Sequence, residues 1–192
     1  MRGLLVVCEG LDCSGKTTAI KKVLKKSKDN NFVYSKGIGS NSLIGKISRK
    51  FPFTIMFLIE LNYIIFTKIK PNLKKEKIIF QDRYGISITS YVPLTNRFYN
   101  KLLIKLFSYF VIQPDAIVYF HLPLSERIKR LKEKGTKYEL LLASNPNLIK
   151  LREKEYLKWY NSFNGPKIKI NTKKNSIKQT TLILEKFVKF FY

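Results

Sequence analysis

The stretch GLDCSGKT, Gly10–Thr17, carries the glycine and lysine spacing GxxxxGK[ST], and it lies between a short apolar run, Gly3–Cys8, and a helix-compatible segment, Lys16–Lys28. A strand, a glycine-bounded turn and a helix in that order form a phosphate-binding loop. The glycines let the backbone curl so that successive N–H groups face phosphate oxygens. Gly10, Leu11, Asp12, Cys13, Ser14, Gly15, Lys16, Thr17 and Thr18 are therefore the expected nucleotide-binding residues. Lys16 reaches the β and γ phosphates, the Thr17 hydroxyl is a ligand for Mg²⁺, and the following helix adds its positive end. ATP and Mg²⁺ are the cofactors this loop implies.

Working outward, apolar runs of strand length recur at Phe32–Ser35, Lys77–Gln81, Ala116–Leu122 and Ile168–Asn171, each separated from the next by helical pattern. Strands alternating with helices indicate a parallel sheet of about five strands with helices on both faces, the three-layer α/β fold of P-loop NTPases. The helix through Phe57 and Phe66 is expected to stop near Pro71, because proline disfavours helical geometry in the residue before it. A further helical region is expected from about Ile86, broken at Pro93 and resumed from Leu102 to Val111, and another helix over Ser125–Lys134 ends at Gly135. Asp82, at the carboxyl end of a strand, is placed to hold the water shell of a metal, since ligands of such sheets gather at the strand ends. Its plainer reading is a helix cap.

Residues 1–192, with 45% hydrophobic content, suit a single domain. Cys8 and Cys13 do not make a disulfide framework, and two thiols cannot complete a structural zinc site, so a reducing cytoplasm is the expected setting. The five apolar residues Leu4–Cys8 are too few for a secretory signal, and Phe51–Phe66 is interrupted by Glu60 and Asn62 and falls short of the roughly 20 residues a bilayer span needs. No membrane association is expected. With 37 Lys and Arg against 13 Asp and Glu, the formal charge of +24 is compatible with a polyanionic partner such as nucleic acid, although the lysines spread along the whole chain as a solvated surface does. His121 is the only histidine and has no partner at ligand spacing, which makes it structural.

EGLDCSGKTT at Glu9–Thr18 and DRYGISITSY at Asp82–Tyr91 resemble the two signature segments of thymidylate kinases. SLIGKISRK, Ser42–Lys50, is similar to the segment after the second strand in archaeal members, and the likeness continues through Pro114, Asp115, Arg130 and Gly135. The resemblance implies ATP-dependent phosphorylation of dTMP to dTDP by a nucleoside monophosphate kinase, and a homodimer. It implies that Asp12 accepts a hydrogen bond from the acceptor's 3′-hydroxyl and that Arg83 clamps the acceptor phosphate, with Arg49 in the same pocket. Phe57 falls where the family stacks an aromatic ring on the base, and Tyr91 near the sugar or base edge. A lid over about 130–150 would bring Arg130 and Lys134, four residues apart on one helical face, onto the transferring phosphoryl group. Cys13 stands where some members have a loop arginine, so lid cations must supply that charge.

The chain departs from the family at the base. Leu61 aligns with the arginine that reads the thymine carbonyl, Tyr63 with a polar position, GIGSN replaces a glutamate-proline motif near Ile38, and Val92 replaces a glutamine. Two alternatives follow: a kinase for another deoxynucleotide or a nucleoside, and a weakly active P-loop domain that binds nucleic acid. The DRY triplet argues against a nucleoside kinase, because an acceptor without phosphate would leave Arg83 without its partner.

Overall fold

The computed structural model describes residues 2–27, 31–38, 43–50, 54–90, 102, 105 and 111–191. The apolar run LLVVCE forms β1 (Leu4–Glu9), whose residues from Leu5 onward are all buried. Continuous apolar sequence, rather than alternation, is what a strand covered on both faces requires. Around it lie β2 (Phe32–Lys36), β3 (Ile78–Asp82), β4 (Ala116–His121) and β5 (Lys167–Asn171). The sheet order is β2-β3-β1-β4-β5, and every pairing is parallel. The five-stranded parallel sheet thus matches the fold class read from the sequence.

Helix α1 (Lys16–Lys26) packs on one face with the last helix of the chain, α9 (Ile177–Lys189). Between them Val6, Cys8, Ile20, Phe80, Val118 and Leu184 make one core. The opposite face is covered by α3 (Thr54–Ile64), which follows α2 (Leu43–Lys50) and buries Leu58, Leu61 and Ile64 against Leu5, Val7 and Ile79. The helices α6 (Leu124–Lys134), α7 (Lys137–Ala143) and α8 (Pro146–Ser162) gather beside the loop end of the sheet around Leu11, Tyr119, Leu131 and Tyr156. Gly135 closes α6 in the left-handed conformation, φ 67°, as its position predicts.

The expected stop before Pro71 is corrected. The chain passes from α3 through a π-helical turn, Ile65–Ile69, directly into α4 (Lys70–Lys74), with Pro71 in the first turn of α4. The Lys70 N–H bonds to Ile65 five residues back, so the ladder is widened just ahead of Pro71 and the ring avoids the carbonyl it would strike in a regular helix. The helical segment after Ile86 is short, α5 (Gly85–Thr89), while the break at Pro93 and most of the expected Leu102–Val111 helix lie outside the described residues. No helix among the described residues is long and apolar enough to cross a membrane.

Gly37 joins β2 to the site. Its N–H donates to the Asp82 carbonyl at 2.7 Å, and an added Cβ would lie 2.0 Å from the Arg83 carbonyl oxygen. The Gln81 amide, 2.8 Å away, could shift, but the Arg83 backbone could not yield without moving the turn. We expect Gly37→Ala to destabilise the fold by about 1–3 kcal/mol, read as a lowered midpoint in urea unfolding with unchanged slope.

Candidate functional site

The ends of β1 and β3 lie side by side, Cys8 paired in register with Asp82, so the turn after each strand opens at the same edge. After β1 the chain enters the phosphate loop. Gly10 has φ 156°, and a Cβ there would lie 2.5 Å from the Phe120 carbonyl, so the loop passes where only glycine fits. Gly15, at φ 80°, is the left-handed residue that turns the loop into α1. Cys13 also has positive φ, 60°, so the loop's third curl is made by a residue with a side chain.

Lys16 and Thr17 open α1 facing Asp82. Thr17 Oγ1 donates to Asp82 Oδ2 at 2.5 Å, the Tyr34 hydroxyl of β2 donates to the same oxygen at 3.0 Å, and Lys16 Nζ lies 4.0 Å from Oδ1. Asp82 Oδ1 is buried with no hydrogen-bond partner. Asp82 is not the cap of α5, since Tyr84 occupies that position and its side chain makes no capping hydrogen bond. An all-oxygen pair of hydroxyl and carboxylate with one oxygen to spare fits a hard divalent cation such as Mg²⁺. Among the described residues no group of three or more His, Cys, Asp or Glu forms a cage, so phosphate and water oxygens would have to complete the shell. Burial, then the neighbouring Arg83, push the Lys16 pKa down, with Asp82 opposing.

Asp12 is the second centre. Arg83 donates from Nη2 to Asp12 Oδ1, and the Arg152 Nη1 of α8 lies 3.7 Å from Oδ2. Burial alone would raise the Asp12 pKa, but Arg83, Lys16 and Arg152 outweigh it and hold the carboxyl well below the usual carboxylate range. Arg83 sits at φ 72°. A left-handed conformation costs an ordinary residue about 1–2 kcal/mol, and here it turns the residue after Asp82 back toward the loop. The Arg83 N–H meanwhile donates to the Cys8 carbonyl at 3.2 Å.

Glu9 supports this turn from below. It accepts from the Tyr84 N–H at 2.5 Å and from Ser87 Oγ at 2.8 Å, and Ser87 lies 3.1 Å from the Tyr156 hydroxyl. Burial raises the Glu9 pKa against those hydrogen bonds. Two arginines that sequence reading did not single out complete the frame. Arg127 of α6 is 1% exposed and donates to the Asp12 carbonyl at 2.8 Å and to the Leu122 carbonyl at 2.9 Å. Arg152 is 3% exposed, with Nε 3.5 Å from Ser90 Oγ. Each sits inside the apolar stripe of its helix, Arg127 four residues before Leu131, Arg152 three after Ile149 and four before Tyr156. A cation on the buried face of a helix was the signal that could have found them.

The structure thus brings together Asp12, Lys16, Thr17, Asp82 and Arg83. Lys134 pairs with Glu139, close enough to Cys13 to affect its thiol. Arg130 is turned elsewhere, donating to Glu126 Oε1 at 3.0 Å and to the Thr172 carbonyl after β5 at 3.3 Å. Phe57 is partly buried against the α3 core, beside Leu58 and Leu61. Leu61 itself is 1% exposed and belongs to that core. The backbone of Arg49 lies in α2, while its side chain and all of Tyr91 and Val92 fall outside the described residues. His121 Nδ1 is 2.9 Å from Glu153 Oε1, and burial pushes the imidazole pKa down against that carboxylate.

A phosphate loop opening a helix at the edge of a 2-3-1-4-5 parallel sheet, with an Asp–Arg step at the end of the neighbouring strand, defines a P-loop nucleotide-binding domain of the phosphotransferase kind. The thymidylate kinase family model matches residues 8–181. The chain is 30% identical over 185 residues to a probable thymidylate kinase of Methanocaldococcus jannaschii, covering 92% of this chain and 90% of that one. It is 28% identical to probable thymidylate kinase 1 of Saccharolobus solfataricus, covering 95% and 97%. A solved thymidylate kinase from Ehrlichia chaffeensis shares the fold, with a TM-score of 0.70 over 98% of this chain and 99% of that one at 16% identity. The chain belongs to the thymidylate kinase family.

Proposed function

We propose that this protein transfers the γ-phosphoryl group of ATP to dTMP, giving ADP and dTDP. The observation that carries the reading is the meeting of two half-sites at Asp12. On one side Lys16, Thr17 and Asp82 form a donor-phosphate end. On the other, Arg83 waits on the Asp12 carboxylate, its side chain 32% exposed and able to reach an incoming phosphate. Phosphoryl transfer asks the protein mainly for positioned positive charge. The loop amides from Gly10 to Thr18 and the start of α1 hold the donor phosphates, with Lys16 on the β and γ groups. Mg²⁺, held through Thr17 and Asp82, neutralises phosphate charge when bound.

Arg83, with Arg49, holds the acceptor phosphate in this reading, and Asp12 accepts from the 3′-hydroxyl. Phe57 and Tyr91 contact base and sugar. Segment 130–150 acts as a lid, with Lys134 and Arg130 as its cations; the closeness of Lys134 to the loop supports that role for it. The two cysteines are unpaired thiols, in keeping with a reducing cytoplasm.

ADP release measured with ATP and Mg²⁺ against dTMP, dUMP, dCMP, dAMP, dGMP, UMP and thymidine tests the reading, with Lys16→Ala as the control. Turnover on dTMP above the rest and absent from the control is expected. Turnover on another acceptor alone would move the substrate, and silence across the panel with ATP still bound would remove the kinase reading.

The same reading includes a homodimer. Ile55, Ile59 and Tyr63, spaced by four along α3, and Phe66 in the π turn after it leave an exposed apolar stripe. Light scattering at micromolar concentration is expected to give twice the chain mass of 22.5 kDa, and Ile59→Glu to give the single chain. A monomeric wild type counts against the dimer.

A further inference from the structure

Asp12 is held by two arginines that differ in one respect. Arg83 takes Oδ1 and is 32% exposed, whereas Arg152 stands 3.7 Å from Oδ2 and is 3% exposed. Asp12 Oδ2 is buried and has no hydrogen-bond partner. Ser90, itself 1% exposed, lies 3.5 Å from Arg152 Nε, and Tyr156, one turn on along α8, is joined through Ser87 to Glu9. Arg152 is therefore enclosed by the fold, while Arg83 is partly exposed.

That difference matters when an acceptor binds. A phosphate dianion can draw a guanidinium away from a single carboxylate, since it offers more charge and can still be met bidentately. If Arg83 turns to the acceptor phosphate, a buried Asp12 loses its hydrogen-bonded cation, and a buried charge without a counter-ion is strongly disfavoured. We propose that Arg152 is the counter-ion that keeps Asp12 charged when Arg83 moves to the acceptor phosphate, a hand-over that leaves Asp12 ready to accept from the acceptor's hydroxyl. Arg152 is then a positioning residue, acting through Asp12 without touching the substrate. Because α8 begins inside segment 130–150, movement there would set how closely Arg152 approaches Oδ2. The proposal rests on the acceptor-phosphate role given to Arg83 above.

A double-mutant cycle on Asp12 and Arg152 tests it, with Kd for dTMP and for ATP measured by calorimetry and KM and kcat by ADP release. Arg152→Gln is expected to weaken dTMP binding by about 10–100-fold, within the usual range for coupled groups in contact, with ATP affinity unchanged. Arg152→Lys should recover most of the loss. In the Asp12→Asn background, where no charge needs a counter-ion, Arg152→Gln should cost less than about threefold. A loss that persists in that background overturns the hand-over, since it makes Arg152 a direct ligand. So does an Arg152→Gln protein that binds both nucleotides as wild type does. A wild type that binds ATP but not dTMP overturns the acceptor reading itself, and the hand-over with it. ATP affinity separates a misfolded variant from a repositioned one, and Arg152→Lys supplies the outcome if the glutamine variant fails to fold.

Discussion

Lys16→Met leaves a folded protein whose turnover of dTMP falls by at least about 10³-fold. The lysine is 5% exposed and its charge is opposed by burial and by Arg83, so it is not kept for stability. Its partner Asp82 retains the Thr17 and Tyr34 hydroxyls after the change. Methionine preserves the length and apolar character of the stem. The thermal midpoint is therefore expected to move by only a few degrees, in line with less than about 1 kcal/mol for a domain of this size. What disappears in the proposed reading is the point charge on the β and γ phosphates, which weighs most when the phosphoryl group is in flight. Single-turnover kinetics at saturating ATP separate the two effects. A fall in rate with retained folding supports the assignment, and near-normal turnover would remove Lys16 from the catalytic groups.

The phosphate loop was legible because its chemistry is local: eight consecutive residues specify the glycines, the lysine and the hydroxyl. Asp82 was legible for a related reason, as a carboxylate ending an apolar run. The sheet followed from the alternation of such runs with helical pattern, although nothing in the runs says that β3 lies between β1 and β2. Pro71 misled because a proline's effect on a helix depends on the ladder around it, and a π turn changes that ladder without any residue that announces it. Leu61 misled differently. Its alignment with a base-reading position directed attention to a site edge, whereas its side chain belongs to the core that α3 makes with β1 and β3. Arg127 and Arg152 were hidden by abundance, two among 37 Lys and Arg. Periodicity distinguishes them, each falling on an apolar stripe, but what they bind is set by a loop more than 100 residues away.

That long-range frame also explains why the second large effect falls on Arg83. Arg83→Lys is expected to raise the KM for dTMP by about 100-fold, with the Kd for ATP within a factor of two of wild type. A guanidinium reaches two phosphate oxygens with two parallel N–H groups; an ammonium meets them as a single point. The position is harder to replace than most, because the backbone there is left-handed at φ 72° while the N–H is bonded to Cys8 and the carbonyl receives Gln81 Nε2 at 2.8 Å. Lysine meets the same backbone cost as arginine, so the exchange tests the head group alone. ATP is the internal control, since the loop amides and Lys16 proposed to hold it do not depend on the shape of the cation at 83. A lysine variant with wild-type KM for dTMP would mean that the acceptor phosphate is held elsewhere, and Asp12 would then be the sole reason for an arginine at this turn.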